Sequence, residues 1–300
     1  MSNDQQHNPI AFGAAAIGIG TYSAMDVVMK GLALELGTFN AMFWRSLIAI
    51  VLAGALYLWK QSPWPSKRVL RLHIWRGAVI SVMAFLFFWG LKFLPVAEAI
   101  GLSFIAPLIA LYLAAVVLQE RIQKQALWAS LIGMLGALIV IGGRLSGDYT
   151  PDMLRGIAAI LCSAILYAYN LILQRQQALV AEPIEIGFFQ NATIVALFGC
   201  LSPFLAVLPP VDAIPQLATA ATLGLVSLLT MSWAYARAPA NTLIPVEYTA
   251  FGWAALLGWL GFGEMVTLTT VIGTALIVTG CLIATWRRSG PVQHVESTAT

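Results

Sequence analysis

Ten long apolar runs, separated by short polar segments, dominate this 300-residue chain. Hydrophobic residues make up 60% of it and charged residues 10%, whereas a soluble domain carries roughly 25% charged residues. One core cannot bury so much apolar surface, so a bilayer must solvate it. Hydrocarbon cannot satisfy free backbone groups, and the runs lack the alternation of a β-barrel, so we predict helices. The predicted fold is all-α with spans at Pro9–Lys30, Asn40–Trp59, Ile74–Leu91, Ala97–Leu118, Ala126–Gly143, Gly156–Gln174, Ile186–Val207, Pro215–Tyr235, Thr242–Leu260 and Thr269–Trp286.

The chain also repeats itself at an offset of 144 residues (264 − 120). Residues 89–120 read WGLKFLPVAEAIGLSFIAPLIALYLAAVVLQE, and residues 233–264 read WAYARAPANTLIPVEYTAFGWAALLGWLGFGE. The offset is close to half the chain, so we predict two halves of five helices, and an odd number makes the halves inverted. Secondary transporters are commonly built this way, with the substrate path at the repeat interface. The predicted units are 9–144, 155–287 and a polar cytoplasmic tail, 288–300.

Basic residues predict the orientation in the membrane. Lys and Arg concentrate in cytoplasmic segments, and the bias here favours both termini in the cytoplasm of a bacterial inner membrane. With the N-terminus inside, the inner segments hold Lys60, Lys67, Arg68, Arg71, Arg76, Arg121, Lys124, Arg175, Arg237, Arg287 and Arg288, and the outer ones hold Lys30, Lys92, Arg144 and Arg155.

Three local patterns resemble the drug/metabolite transporter superfamily, specifically its ten-helix EamA branch. FWRSLIAIVLAG is similar to the family's second-helix pattern, LPVAEAIGLSFIAPLIALYLAAVVLQERI to its fourth helix and IPVEYTAFGWAALLGWLGFGE to its ninth. The resemblance covers residues 9–287. It implies a carrier of small organic molecules, since members export amino acids and drugs or import nucleotide-like and vitamin compounds. The EYTA…GW wording is most similar to bacterial members that include S-adenosylmethionine and riboflavin importers.

Charged side chains inside the spans are the first candidates for a site, because each is costly in a membrane. Asp26 and Lys30 lie four residues apart on one helix face, and Arg45 begins the next span at similar depth. We predict an Asp26–Lys30–Arg45 cluster. It is either an outer gate or anchor for an anionic or zwitterionic substrate, or a structural ion-pair network. The second half carries neutral amides at the matching positions, Asn170, Gln174 and Gln190.

Further polar and aromatic residues complete the predicted site. Glu98, at the start of the fourth span, is a candidate for substrate binding or coupling, or else a carboxylate that the helix N-terminus favours for structural reasons. Glu247 follows Pro245 in a loosened turn, so with Tyr248 it is a candidate contact for substrate or proton, or else pairs with another helix. The remaining predictions are Tyr22, Tyr167 and Asn170 in the cavity, Glu120 and Glu264 as structural caps at the N-terminus of the next helix, and Pro107 and Pro245 as hinges.

Other chemistries find little support in the sequence. No Cys or His pair has metal-ligand spacing, His7, His73 and His294 are expected outside the spans, and no phosphate-binding loop or other cofactor motif is present. A scattered net charge of +3 does not indicate a nucleic-acid partner. We therefore predict a secondary transporter for a small polar metabolite, proton-coupled or exchanging. A drug efflux carrier and an intramembrane enzyme remain the alternatives, and a monomer and a homodimer both stay open.

Overall fold

The structure is a computed structural model and describes residues 9–106, 109, 128, 131–136, 138–140, 150–237 and 249–285. Within these residues the chain forms ten helices and no strand, so the predicted all-α fold is confirmed. The helices are α1 (Pro9–Leu36), α2 (Thr38–Trp59), α3 (Lys67–Leu91), α4 (Val96–Ser103), α5 (Leu131–Val140), α6 (Pro151–Ala178), α7 (Pro183–Leu205), α8 (Ile214–Arg237), α9 (Thr249–Phe262) and α10 (Leu268–Thr285), with a 3₁₀ turn, Val211–Ala213, before α8.

Helix contacts relate α1–α5 to α6–α10 by a two-fold axis. Helix α1 packs along α8, and its counterpart α6 packs along α3 in the same way. Helix α2 lies against its own counterpart α7, and α4 against α9, so these pairs lie on the axis. Helices α5 and α10 meet at Gly136 and Gly273, where a Cβ on either would come within 2.6 Å of the other's carbonyl oxygen. Five helices per half make the halves run in opposite directions.

The outer surface of the bundle is apolar. Within the described ranges, five segments are long and apolar enough to cross a bilayer, namely α2, α3, α6, α7 and the stretch Val211–Arg237 that contains α8. Trp59 and Phe204 are each 85% exposed and Leu58 is 75% exposed. Exposing apolar surface to water costs about 25 cal/mol per Å², whereas lipid solvates it. The chain is therefore a multi-pass membrane protein.

Helix α3 begins at a side-chain cap and not at the edge of its apolar run. Helix α3 begins at Lys67, seven residues before the predicted Ile74 (74 − 67), and the Ser66 hydroxyl caps it by accepting the Val69 N–H at 3.4 Å. The added turns carry His73 into the bundle, where it is 0% exposed. The prediction that His73 lies outside the spans is therefore wrong.

A single glycine joins the first two helices. Gly37 has a φ of +78°, a conformation that side chains with a Cβ rarely adopt. It lets α1 continue to Leu36 and α2 begin at Thr38. Lys30, predicted to end the first span, consequently lies inside α1 and faces the neighbouring helices.

Candidate functional site

A cavity of about 230 Å³ lies between the two halves, lined by residues of α1–α4 and α6–α9. Its wall mixes apolar side chains with a small polar set. The polar and charged lining residues are Tyr22, Ser23, Asp26, Arg45, Arg76, Ser103, Ser163, Tyr167, Asn170, Gln174, Gln190 and Ser227. Five of the predicted site residues, Tyr22, Asp26, Arg45, Tyr167 and Asn170, thus lie around one cavity.

The two-fold axis explains which residues meet there. Asp26 of α1 and Asn170 of α6 occupy matching repeat positions and line the same cavity, as do Arg45 of α2 and Gln190 of α7. The first half therefore contributes charges where the second contributes neutral amides. The cavity is chemically asymmetric although its backbone is nearly symmetric.

Arg45 and Asp26 have few hydrogen-bond partners within the described part of the chain, although their opposite charges attract each other. The Arg45 guanidinium donates to Met25 Sδ at 3.3 Å and to Ser46 Oγ at 3.4 Å, and its Nε has no hydrogen-bond acceptor. Asp26 is 1% exposed and its Oδ1 accepts no hydrogen bond. Charged side chains inside membrane proteins normally pair with one another or with backbone carbonyls. Both groups therefore retain capacity to bind opposite charges of a ligand.

Arg76 is a cavity residue that the sequence reasoning missed. The distribution of basic residues assigns it to the cytoplasmic side, but its position on the inner face of α3 places it in the cavity wall, 3% exposed. Its Nε donates to Asn170 Oδ1 at 2.9 Å and its Nη1 donates to Gln177 Oε1. A buried arginine held by amides carries a positive charge that no described carboxylate neutralises.

A helical pattern in the sequence does point to Arg76. It shares a spacing of i, i+4, i+7 and i+11 with Ile80, Met83 and Phe87, and all four line the cavity. The apolar periodicity within the predicted span therefore already places Arg76 on the inner face.

The predicted pairing of Lys30 with Asp26 is wrong. Lys30 Nζ instead donates to the carboxylate of Glu264 and to Leu94 O, the latter at 2.6 Å. Spacing of i,i+4 permits a pair on one helix but does not require it. The lysine stem is long enough to reach the α3–α4 connection, where the partly buried Glu264 carboxylate and the Leu94 carbonyl both accept its protons.

Glu264 caps a helix, but not the next one along the chain as predicted. Its Oε2 accepts the N–H of Val96, the first residue of α4, at 2.7 Å. Gly263, at a φ of +65°, turns the chain after α9 and presents Glu264 to that helix. The first N–H groups of a helix have no intrahelical acceptor, and its positive end attracts an anion. Helix α4 belongs to the other half, so this contact joins the two repeats.

Glu98 lies apart from the cavity lining. It is 1% exposed in the first turn of α4 and accepts a hydrogen bond from Thr270 Oγ1 of α10 at 3.2 Å. The structure thus places it in packing between α4 and α10. Five other predicted residues, Pro107, Glu120, Pro245, Glu247 and Tyr248, lie outside the described residues, so their roles stay predictions.

A second polar cluster lies behind Arg76. His73 Nε2 is 2.8 Å from Glu185 Oε1, and His73 Nδ1 is 2.5 Å from Gln177 Nε2. The imidazole stacks on the Phe189 ring with 4.9 Å between centroids. These contacts join α3, α6 and α7. Among the described residues no group of three or more His, Cys, Asp or Glu side chains could hold a metal ion.

Comparison with known proteins agrees with this architecture. The model of the EamA-like transporter family matches residues 10–142 and again 154–286. The pseudopaline exporter CntI of Pseudomonas aeruginosa UCBPP-PA14 is 25% identical over 283 residues, covering 92% of this chain and 96% of that protein. An S-adenosylmethionine uptake transporter of Rickettsia bellii is 25% identical over 279 residues, covering 89% and 92%.

A solved crystal structure shares the fold. It superposes with a TM-score of 0.63 at 22% identity and covers 93% of this chain and 98% of its own. The two family matches, one per half, span nearly all ten helices, and the named relatives are carriers. The chain therefore belongs to the EamA-like transporter family of the drug/metabolite transporter superfamily, and it is a membrane transporter of a small molecule rather than an enzyme.

Proposed function

We propose that this protein is a secondary transporter that moves a small metabolite with an anionic group across the bacterial inner membrane by alternating access. The observation that carries the proposal is the Arg45 guanidinium, which lines the cavity with only a thioether and a hydroxyl as hydrogen-bond partners and with the Asp26 carboxylate as a charged neighbour. A cation inside a membrane protein requires compensation. A substrate carboxylate or phosphate in the cavity would supply it.

The charge pattern of the cavity favours a zwitterion with an amino-acid-like end. Arg45 and Arg76 carry positive charge and Asp26 carries a carboxylate, so the described lining sums to +1 (2 − 1). A substrate carboxylate would bind the arginines, and a substrate ammonium would bind Asp26 Oδ1. A lipophilic cation, the usual substrate of a drug efflux carrier, would be repelled by the net positive charge of the cavity lining. The drug efflux alternative is accordingly less well supported.

The named relatives support a metabolite of this kind. S-Adenosylmethionine has an amino-acid end and a flat aromatic base, and the cavity offers tyrosine rings at Tyr22 and Tyr167. Aromatic rings bind flat or cationic groups by stacking and cation–π contact. A riboflavin-like compound would stack on the tyrosine rings but has no ammonium group to bind Asp26. One relative is named an exporter and another an uptake transporter, so family membership leaves the direction of transport open.

Cavity size indicates what this conformation can enclose. Small-molecule pockets usually measure about 300–1,000 Å³, and this one measures about 230 Å³. An amino-acid-sized molecule fits it as it stands. A substrate as large as S-adenosylmethionine requires the two halves to move apart, as alternating access provides.

The halves meet along two symmetry-related seams, α1 with α8 and α3 with α6. We expect rocking about these seams to open the cavity first to one side and then to the other. Protons or a counter-substrate would drive the cycle, with Asp26 and Glu247 as coupling carboxylates and Pro107 and Pro245 as hinges. The distribution of basic residues supports an orientation with both termini in the cytoplasm.

Counterflow in proteoliposomes tests the proposal. Liposomes preloaded with unlabelled S-adenosylmethionine or methionine should accumulate the labelled compound, and Arg45→Met should weaken apparent affinity about 10- to 150-fold, as expected from losing one charge-assisted hydrogen bond. Arg155→Met is the matched control, because Arg155 is exposed and pairs with Asp152 at 3.1 Å on the surface. Asp26→Asn should reduce flux, because it removes the carboxylate charge to which a substrate ammonium would bind.

Two outcomes would contradict the proposal. Equal apparent affinities in Arg45→Met and the wild type would show that Arg45 does not bind the substrate. If lipophilic cations alone raised the melting temperature and competed with one another in counterflow, the results would favour a drug efflux carrier instead.

A further inference from the structure

A row of buried polar side chains runs from the cavity wall away from the cavity. It begins at Arg76, passes through Gln177 and His73, and ends at Glu185 in the first turn of α7. All four residues are at most 8% exposed. Only Arg76 lines the cavity, so the histidine and the glutamate have no role in the substrate contacts described above.

Donor and acceptor chemistry determines which atom donates and which accepts in each hydrogen bond of this row. Arginine can only donate, so the Gln177 atom that faces Arg76 must be its carbonyl oxygen. The Gln177 NH₂ group then faces His73 and donates to Nδ1, which must be unprotonated. The proton of the neutral imidazole therefore lies on Nε2, and Nε2–H donates to the Glu185 carboxylate.

A second proton on His73 is incompatible with this arrangement. Protonated Nδ1–H would face the Gln177 NH₂ group, donor against donor. The amide has to rotate so that its oxygen accepts from Nδ1–H, and its NH₂ group then faces Arg76. Because Arg76 Nη1–H cannot donate to a donor, that arm loses its acceptor, while Nε keeps Asn170 Oδ1 at 2.9 Å.

The surroundings of His73 contain few other ionisable groups in the described part of the chain. Glu185 faces it from α7 and Arg76 from α3 itself. Tyr57 of α2 lies near Glu185, with its hydroxyl donating to Pro63 O at 2.8 Å. The Phe189 ring covers one face of the imidazole. Protonation of His73 therefore acts mainly on Glu185 and, through the amide, on Arg76.

We propose that His73 and Glu185 form a proton-binding site, and that Gln177 couples it to the cavity by releasing one arm of Arg76 when His73 takes up a proton. The proton comes from water and adds to the Nδ1 lone pair, and no other bond is made or broken apart from hydrogen bonds. The freed guanidinium arm binds the anionic group of the substrate. Coupling is reciprocal, so an anion on Arg76 favours proton uptake at His73. This inference rests on the proposed transport of a metabolite with an anionic group.

NMR of the full-length protein in lipid nanodiscs tests the coupling without any substrate. Nitrogen-15 labels on histidine report protonation of His73, and labels on the arginine guanidinium report whether Arg76 is held. At alkaline pH the Arg76 Nη signals should be resolved, because a hydrogen-bonded guanidinium rotates slowly. As His73 becomes doubly protonated, the separate Arg76 Nη signals should merge into an average, because the freed guanidinium rotates faster. In His73→Asn they should not change with pH, and the signals of the surface Arg155 serve as the internal reference.

Several results would overturn the coupling. They are an Arg76 signal that ignores His73 protonation, an Arg76 signal that still follows pH in His73→Asn, and a His73 ring that stays neutral wherever the protein remains folded. Gln177→Leu provides a second variant, in which His73 protonation should no longer affect Arg76.

Transport supplies an independent readout, with S-adenosylmethionine as the probe in proteoliposomes. Apparent affinity should rise on acidification by up to about tenfold per pH unit in the wild type, as one coupled proton allows. His73→Asn should lose this dependence, and His294→Gln, beyond the end of α10, should keep it. Absence of flux in the wild type at every pH would count against the proposed substrate class, whereas the NMR result decides the coupling by itself.

Discussion

Neutralising Glu264 is expected to cost this protein about 2–3 kcal/mol of stability, because Lys30 is left buried without its anion. The two side chains are only 6% and 16% exposed. Removing one partner of a buried ion pair typically costs about 3–5 kcal/mol. Glu264→Gln should fall below that range, since Lys30 keeps Leu94 O at 2.6 Å and the new amide oxygen can still accept the Val96 N–H.

A double-mutant cycle separates the ion pair from its surroundings. Lys30→Met should cost a similar amount, because it leaves the Glu264 carboxylate with Val96 N–H alone. Lys30→Met/Glu264→Gln buries no unpaired charge, so it should cost less than the two single changes together by about 1.5–3 kcal/mol. Lys60→Met and Glu182→Gln are the matched controls, since that ion pair is about half exposed at the surface. Exposed pairs contribute about 0–1 kcal/mol.

Thermal melting in detergent measures these differences. One fixed heating rate is used for all variants, because unfolding of such proteins is often irreversible. Each single variant at the buried pair should melt about 5–10 °C below the wild type, and each control within about 2 °C of it. Single variants at the buried pair that melt like the controls, or costs that simply add in the double variant, would refute the assignment of Lys30 and Glu264 as a joint between the two halves.

Two further predictions concern packing and orientation. Gly77→Ala should destabilise the protein by about 1–3 kcal/mol, because a Cβ there would lie 2.5 Å from Thr193 Cβ, whereas Gly199→Ala in α7 meets no atom within 4 Å and should be neutral or stabilising in the same melting assay. Reporters that are active only in the cytoplasm should work when fused to either terminus, and opposite results at the two termini would rule out an even number of spans.

The sequence by itself determined the class of fold and much of the cavity. Span length and the need to satisfy every backbone group in lipid are local constraints, so apolar runs predict helices without knowledge of their neighbours. The repeat then relates positions far apart in the chain. Asp26 with Asn170 and Arg45 with Gln190 were matched by offset alone, and the structure places all four around one cavity because the two-fold axis passes through it.

Only the tertiary structure decided how the buried charges are paired. Lys30 was assigned to Asp26 because they are close on one helix, yet its ammonium pairs with Glu264, 234 residues away. That choice depends on which loop approaches the end of α1 and on the free N–H groups at the start of α4. His73 lies in the interior because α3, capped at Ser66, extends beyond its apolar run, and Arg76 does so because it lies on the inner face of α3. Hydropathy describes where a helix prefers lipid, whereas side-chain pairing depends on the few ångströms that separate helices distant in sequence.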